Sequence, residues 1–496
     1  MRKRTALFLV TVLLFCFGTT VSASDVGNSY LYSKTNEGIM DVYAPQAYLP
    51  QTVYDSDTLS VELKQPEDLV LSGDGGFYLC DTGVNAIYQF DASFRLLRTI
   101  KTFVNGQKND SLNQPTGVCV NSEGNLFIAD GGNQRVVVLD KEGKLVNIID
   151  NPQADSNILA KDFIFVPQKL AVDDSNRLFV LCKDVYEGIL QFSESGSFIG
   201  YIGSNTVVPS AIEVIWKRIM SKEQKSKIAD FVPVEYTNIS LDHQSFLYAV
   251  TSVKNVDSPI RRLNPSGNDV LVRSPINGTE KVVGDELYVS YSNLSSVTTG
   301  PSSFVDITSD NYGNYYALDG KRGRVFAYDV DGNLLYAFGA LGTGQKGALE
   351  SPSAILYDQD YLYVVDRTLC QVIRFEPTDY ALLIRSAMDA YYQQEYEKSV
   401  DLWQQVLTKN SYFDLAYVKS GWGLYRLGRY EEAMESFKAA NVKSGYSKAY
   451  EQYSAAWLDE HFTAVALAVI GGVILLVIII VLIYRYQRNK RRYSAG

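Results

Sequence analysis

The chain has 496 residues, with 46 Lys and Arg against 56 Asp and Glu and a formal net charge of −10. This acidic balance argues against nucleic acid as a partner, because phosphate neutralisation needs clustered basic residues. Only two histidines occur, His243 and His461, which argues against zinc sites and Ser/His/Asp hydrolases because both depend on histidine.

Residues 1–23 predict a secretory signal peptide. Three basic residues, an apolar run from Thr5 to Thr20 and the small-residue sequence VSA form its three regions. The remaining four cysteines lie far apart in apolar runs, and we interpret them mainly as small buried side chains, with one chance pair left open. Low cysteine usage in an exported chain of this size favours a Gram-positive bacterial origin.

Six similar segments follow one another from Gln65 to Phe375. The first two read QPEDLVLSGDGGFYLCDTGVNAIYQFD from Gln65 and QPTGVCVNSEGNLFIADGGNQRVVVLD from Gln114. Each segment has three short apolar or alternating runs separated by Gly, Asn and Asp turns, and a fourth run follows most of them. Short strands without helical crossovers favour radial blades closed into a ring. We therefore predict a mainly β fold, a six-bladed β-propeller within residues 24–376.

Two irregularities interrupt this rhythm. The sixth repeat ends after its third strand, so closure of the ring needs a strand from the N-terminal side, and we expect residues 53–63 to supply it. Between the third and fourth repeats, apolar residues at helical spacing predict an inserted amphipathic helix over residues 209–231.

The second repeat carries the pattern P-x-G-V-x-V and then G-N-L-F-I-A-D-x-G-N-x-R-V between Pro115 and Val136. This pattern resembles an NHL repeat. The resemblance covers approximately residues 60–376 and implies a six-bladed propeller.

An aspartate closes the second strand in four repeats, followed by glycine and arginine. Recurrence favours a structural turn, because a catalytic loop would appear once, and no catalytic residue is predicted. The alternative is a polar ligand-binding face, since these turns lie on one face of propellers generally. The candidate ligand-binding residues are Asp81, Asp130, Arg135, Asp319, Arg322, Arg324, Asp366 and Arg367.

Residues 380–460 change to helix-forming composition. Tyr396 and Trp403 recur 34 residues later as Tyr430 and Phe437, a spacing that resembles tetratricopeptide (TPR) repeats. The resemblance implies either a surface for a partner's peptide or helix, or a rigid spacer, and a third helix from about Ser447 to Glu460 would complete the array. The candidate partner-binding residues are Trp403, Tyr417, Trp422 and Tyr425.

Residues 463–484 contain no charge, and 22 residues make a helix of roughly 33 Å, long enough to cross a bilayer. Five basic residues in the tail, 485–496, predict a cytoplasmic C-terminus. With signal and tail removed, 38 basic residues face 56 acidic ones outside the cell.

We therefore expect a non-enzymatic, single-pass membrane protein that binds a ligand or a protein partner, such as an envelope complex or a transporter, without a cofactor. A purely structural envelope protein is a further interpretation. An enzymatic alternative remains, because propeller lactonases similar to gluconolactonase hold a divalent cation with Asp, Glu and Asn in the channel. Carboxylates and amides suit Ca²⁺ or Mg²⁺. The residues for such a site are Glu67, Asp68, Asn121, Asn238 and Asp306.

Overall fold

A computed structural model describes the chain with gaps. The described residues are 29–35, 38–152, 159, 163–203, 235–252, 258–273, 283–285 and 301–493. The predicted signal peptide and the predicted helix over 209–231 lie outside them.

The N-terminal segment forms three strands and one short helix before the first blade. These are β1 (Tyr30–Thr35), β2 (Gly38–Tyr43), β3 (Tyr48–Asp55) and α1 (Ser56–Leu59).

Six blades follow, as the sequence predicted, and the mainly β six-bladed propeller is confirmed. Blades one and two contain β4 (Pro66–Leu71), β5 (Phe77–Asp81), β6 (Ala86–Phe90) and β7 (Leu96–Ile100), the hairpin β8 (Thr102–Asn105) and β9 (Lys108–Ser111), then β10 (Pro115–Val120), β11 (Leu126–Asp130), β12 (Arg135–Leu139) and β13 (Leu145–Ile149). Blades three and four contain β14 (Pro167–Val172), β15 (Leu178–Cys182), β16 (Ile189–Phe192), β17 (Phe198–Ile202), β18 (Asn238–Leu241), β19 (Leu247–Val250) and β20 (Ile260–Leu263). Blades five and six contain β21 (Phe304–Ser309), β22 (Tyr315–Asp319), β23 (Arg324–Tyr328), β24 (Leu334–Phe338), β25 (Pro352–Asp358), β26 (Tyr361–Asp366) and β27 (Gln371–Pro377).

The second strand of each blade is apolar up to its last residue because both of its faces are buried. In β11, Leu126 and Ile128 pack toward blade one, whereas Phe127 and Ala129 pack toward blade three. Alternate side chains of a strand point to opposite faces of a sheet, so a strand between two neighbours needs an unbroken apolar run. This explains LFIA before the corner aspartate.

The N-terminal strand β3 pairs antiparallel with β27 as the fourth strand of blade six, with Val53 opposite Ile373. It starts five residues before the segment predicted for this role, 53–63, and overlaps it only at residues 53–55. The chain then turns into α1, where Asp55 and Thr58 form a capping box: Thr58 N donates to Asp55 Oδ1 at 2.9 Å and Asp55 N donates to Thr58 Oγ1 at 2.7 Å.

The hairpin of β1 and β2 extends blade five outward, an arrangement that sequence reasoning missed. Tyr30 pairs with Ala337 in β24, and Ser29 Oγ donates to the Ala337 carbonyl at 3.0 Å. The N-terminal segment therefore joins blade five as well as blade six.

Five helices follow the ring: α2 (Asp379–Tyr392), α3 (Tyr396–Lys409), α4 (Asp414–Arg426), α5 (Tyr430–Ala439) and α6 (Lys443–Tyr493). The chain divides after Leu382 into the ring and a helical unit. Within the helical unit, a Cβ on Gly421 would lie 2.8 Å from the Phe437 ring, and one on Gly445 would lie 2.5 Å from it. Glycine at these two positions thus lets α4 and α6 approach α5 closely.

Helix α6 is continuous, where the sequence predicted one helix ending near Glu460 and another starting at Thr463. No proline lies between those residues to interrupt it. Its apolar part is exposed and is long and apolar enough to cross a membrane, which is consistent with a single-pass anchor.

Candidate functional site

Four aspartates end the second strands of their blades and are here called the corner aspartates: Asp81, Asp130, Asp319 and Asp366. They are completely buried and bind backbone N–H groups at the entry of their own blades. The Asp81 carboxylate accepts hydrogen bonds from the backbone nitrogens of Lys64 (2.8 Å), Gln65 (3.0 Å) and Gly83 (2.9 Å). The Asn113 nitrogen donates to Asp130 at 2.7 Å. Each carboxylate therefore fastens the end of a second strand to the segment that precedes the first strand.

Asp319 and Asp366 repeat this arrangement in blades five and six. Asp319 accepts from the nitrogens of Ser303 (3.1 Å) and Lys321 (2.9 Å). Asp366 accepts four backbone hydrogen bonds of 2.6 to 3.0 Å. These contacts fit the interpretation of the corners as architecture.

Two of the candidate arginines pair with their corner aspartates. Arg135 Nε lies 2.8 Å from Asp130 Oδ2, and its two terminal nitrogens bind Asp110 at 2.8 and 2.9 Å. Hydrogen bonds from Arg135 hold the pKa of the Asp110 carboxyl well below its ordinary value. Arg322 lies between Asp319 (3.3 Å) and Asp285 (3.1 Å).

The other two arginines, Arg324 and Arg367, make contacts of a different kind. The Arg324 guanidinium lies over the ring of Tyr30 at 4.5 Å. Arg367 Nη2 donates to Glu67 Oε2 at 2.6 Å and so joins blade six to blade one. The eight candidate residues thus belong to separate corners, and their role in ligand binding stays a prediction.

A second polar cluster lies where the first strands of the blades line the centre of the ring. Lys169 Nζ in blade three donates to the Glu67 carbonyl at 2.9 Å and lies 3.2 Å from Asp68 Oδ1 in blade one. Burial disfavours the charge of Lys169, but the carboxylates of Asp68 and Asp306 outweigh it and its pKa lies above the ordinary value. Lys169 is therefore a charged ammonium group inside the ring.

Asp306 faces this cluster from blade five. Burial raises the pKa of its carboxyl to about 7, against the opposing effect of the Lys169 ammonium and with a further rise caused by Asp68. Its oxygens accept hydrogen bonds from the nitrogens of Ile307 at 2.7 Å and Ile355 at 2.6 Å.

Sequence reasoning missed Lys169 entirely. The signal was present in the alignment of the repeats, where QPED at Gln65, QPTG at Gln114 and VPQK at Val166 place Asp68, Gly117 and Lys169 in one column.

Three of the five residues named for a channel metal have side-chain partners within the ring. Glu67 binds Arg367, and Asp68 pairs with Lys169. Asn121 follows directly after β10, and its side chain accepts from Asn125 N and donates to Asn176. Among the described residues, no three His, Cys, Asp or Glu side chains are grouped to hold a metal ion.

The predicted partner-binding residues of the helical unit differ in exposure. Trp403 is fully buried and packs edge-on against Phe413 at 6.0 Å, so it belongs to the core. Tyr417, Trp422 and Tyr425 are only partly buried.

Trp422 is the centre of an aromatic cluster at the surface of the helical unit. Its ring packs edge-on against Phe437 at 4.9 Å and Tyr425 at 5.7 Å. The ammonium group of Lys448, an exposed residue of α6, lies 5.5 Å from the ring centre of Trp422.

Residues 51–160 match the family model of the SMP-30/gluconolactonase/LRE-like region. The matched segment includes most of β3 and blades one and two. No curated protein matches the sequence.

Similar solved structures include virginiamycin B lyase from Staphylococcus aureus, with 10% identity over 67% of this chain and 100% of that one and a TM-score of 0.41. A catalytically inactive variant of that lyase with quinupristin has 11% identity over 73% and 98%, with a TM-score of 0.39. A streptogramin B lyase has 12% identity over 67% and 98%, with a TM-score of 0.39.

Proposed function

We propose that this protein is a non-enzymatic, membrane-anchored binding or scaffold protein that acts outside the cell. Its ring and helical repeats engage a ligand or a protein partner such as an envelope complex or a transporter. In this proposal the TPR-like helices supply the partner surface, and the apolar part of α6 is the anchor.

The observation that carries the proposal is the surface cluster of Trp422, Tyr425 and Lys448. Tryptophan and tyrosine are enriched among the few residues that carry most of the binding energy of a protein interface, and a rigid support reduces the entropy that they lose on binding. Trp422 has such a support because Phe437 packs against its ring. By contrast, the carboxylates of the ring's corners and centre are already bound to groups of the ring itself.

A pull-down of the tagged full-length protein from detergent-solubilised membranes tests this role. We expect a stoichiometric partner with the wild type and a roughly tenfold or greater loss of recovery with Trp422→Ala, as for an interface hot spot. Tyr412→Ala is the matched control, because Tyr412 is an exposed aromatic residue of the same unit, 65% accessible, outside the cluster. Circular dichroism checks that both variants keep their helices.

Failure to recover any stoichiometric partner contradicts the proposal. Equal recovery with Trp422→Ala and Tyr412→Ala would show instead that the cluster is not the partner surface.

A metal-dependent, gluconolactonase-like hydrolase is the second candidate, favoured by the family match over residues 51–160. Lactone hydrolysis by the purified protein with Ca²⁺ or Mg²⁺, lost on chelation, would support it. The pairing of Asp68 with Lys169 weighs against it.

We also propose that the N-terminal part is extracellular and the basic tail cytoplasmic. Protease added to intact cells is then expected to remove the ring and leave a tail epitope protected. Cleavage of the tail in intact cells would indicate the opposite orientation.

A further inference from the structure

The first strands of the six blades share one register around the ring. A shift in pairing follows the first residue of this strand in blades one, two, three, five and six. In each of these five blades, the residue after the shift lies opposite the same position of the second strand. In blade four, Asn238 lies opposite that position. One central layer therefore consists of Asp68, Gly117, Lys169, Asn238, Asp306 and Ala354.

Three members of this central layer have the same local geometry. The side-chain oxygens of Asp68, Asn238 and Asp306 each accept the N–H of the next residue, at 3.2, 2.8 and 2.7 Å. The oxygen-bearing groups of blades one, four and five are thus held in one orientation relative to their strands. Oxygen groups of this kind are the ligands that Ca²⁺ prefers.

Lys169 lies in the same layer and bonds across the ring from blade three to blade one. Its ammonium group contacts the Glu67 carbonyl and the Asp68 carboxylate. Blade two lies between and contributes Gly117, which places no side chain at this level. A Cβ on Gly117 would lie 2.4 Å from the Gln168 carbonyl oxygen, so the backbones of blades two and three also meet closely here.

We propose that the Lys169 ammonium group takes the place of a divalent cation at the centre of this propeller. The wild-type centre then binds neither Ca²⁺ nor Mg²⁺. Removal of the lysine side chain leaves Asp68 and Asp306 without their cation. These two carboxylates, the Asn238 amide and the Glu67 carbonyl then form a Ca²⁺ site. This inference goes beyond the proposed function, because it holds whichever partner the protein binds.

The test compares Ca²⁺ binding and thermal unfolding of the full-length protein in detergent. Calorimetric titration with Ca²⁺ and melting with chelator or with Ca²⁺ are measured for the wild type, Lys169→Ala and the double variant Lys169→Ala/Asp306→Asn. Lys144→Ala is the matched control, because it removes an exposed lysine from blade two.

We expect the melting temperatures of wild type and Lys144→Ala to be the same with Ca²⁺ and with chelator. Lys169→Ala with chelator should melt roughly 5 °C lower, because loss of one partner leaves a buried charge unpaired. Ca²⁺ should restore most of that loss with about one ion bound per chain, and the double variant should not respond.

Two results would overturn the inference. One is a folded Lys169→Ala protein whose melting temperature does not respond to Ca²⁺. The other is a wild-type protein that binds one Ca²⁺ and loses it on Asp306→Asn, and this measurement decides the matter even if Lys169→Ala does not fold. Neither result bears on partner recovery, which tests the proposed function separately.

Discussion

Replacement of Asp366 by Asn tests whether the corner carboxylates hold the blades in place. Asp366 Oδ1 accepts from the nitrogens of Thr368 (3.0 Å) and Leu369 (2.9 Å), and Oδ2 accepts from Glu350 (2.6 Å) and Ser351 (3.0 Å). An asparagine amide keeps one acceptor oxygen, so two of these N–H groups would face an NH₂ group. A buried hydrogen bond to a charged group contributes about 1.5–3 kcal/mol, so we expect the free energy of unfolding to fall by about 3 kcal/mol or more.

The expected loss corresponds to a measurable fall in the melting temperature. The unfolding entropy of a unit the size of this ring is roughly 0.7 kcal/mol/K, which converts about 3 kcal/mol into a decrease of about 4 °C. Scanning calorimetry of the purified protein measures it. Asp91→Asn is the matched control, because Asp91 accepts similar backbone bonds in an exposed turn, and it should melt close to the wild type.

A melting temperature of Asp366→Asn equal to that of the control would refute the structural reasoning. Loss of partner or ligand recovery by this variant at unchanged stability would favour the ligand-binding interpretation of the corners instead.

Three further predictions concern the centre and the closure of the ring. The folded ring raises the pKa of Asp306 from 3.8 to about 7, so the contribution of this residue to stability is present in acid and is lost as the pH rises through about 7. Urea unfolding between these two pH values should show a fall in the free energy of unfolding, and Asp306→Asn should reduce that fall. Equal dependence of the unfolding free energy on pH in both proteins would contradict this. Gly117→Ala should destabilise the ring by about 1–3 kcal/mol, because its Cβ would meet backbone of blade three, whereas Gly73→Ala, with its nearest atom at 3.8 Å, should not. Deletion of the N-terminal segment through the end of β3 should leave the ring protease-sensitive, whereas deletion through the end of β2 should have a smaller effect. Equal protease resistance of both variants would show that β3 does not close the ring.

The blades were predictable because their signals are local and repeated. An apolar run such as Leu126 to Ala129 is required wherever a strand is buried on both faces. Because the pattern occurs in six repeats, the irregularities of a single repeat do not hide it. The closing strand lies earlier in the sequence than predicted, because the capping box of Asp55 and Thr58 ends β3 and starts α1.

The remaining features depend on partners distant in sequence. The hairpin of β1 and β2 joins blade five through Tyr30 and Ala337, which are about three hundred residues apart. The sequence of the hairpin does not indicate which strand edge it pairs with. Lys169 is a single lysine on an otherwise ordinary strand. Its pairing with Asp68 can be recognised only when the fold brings blades one and three together at the centre of the ring. The exposure of the two tryptophans also depends on tertiary packing: Trp403 is a core residue, whereas Trp422 lies at the surface.

The charges at the centre follow from closing sheets into a ring. The first strand of each blade pairs with its own blade on one side only, so backbone N–H groups on its other side need an acceptor. Asp68 supplies one to Val118 N in blade two at 2.9 Å, and Asp306 supplies one to Ile355 N in blade six. Two buried carboxylates in one narrow space repel each other, and a nearby cation reduces that repulsion. Lys169 is that cation, and a bound metal would be redundant with it.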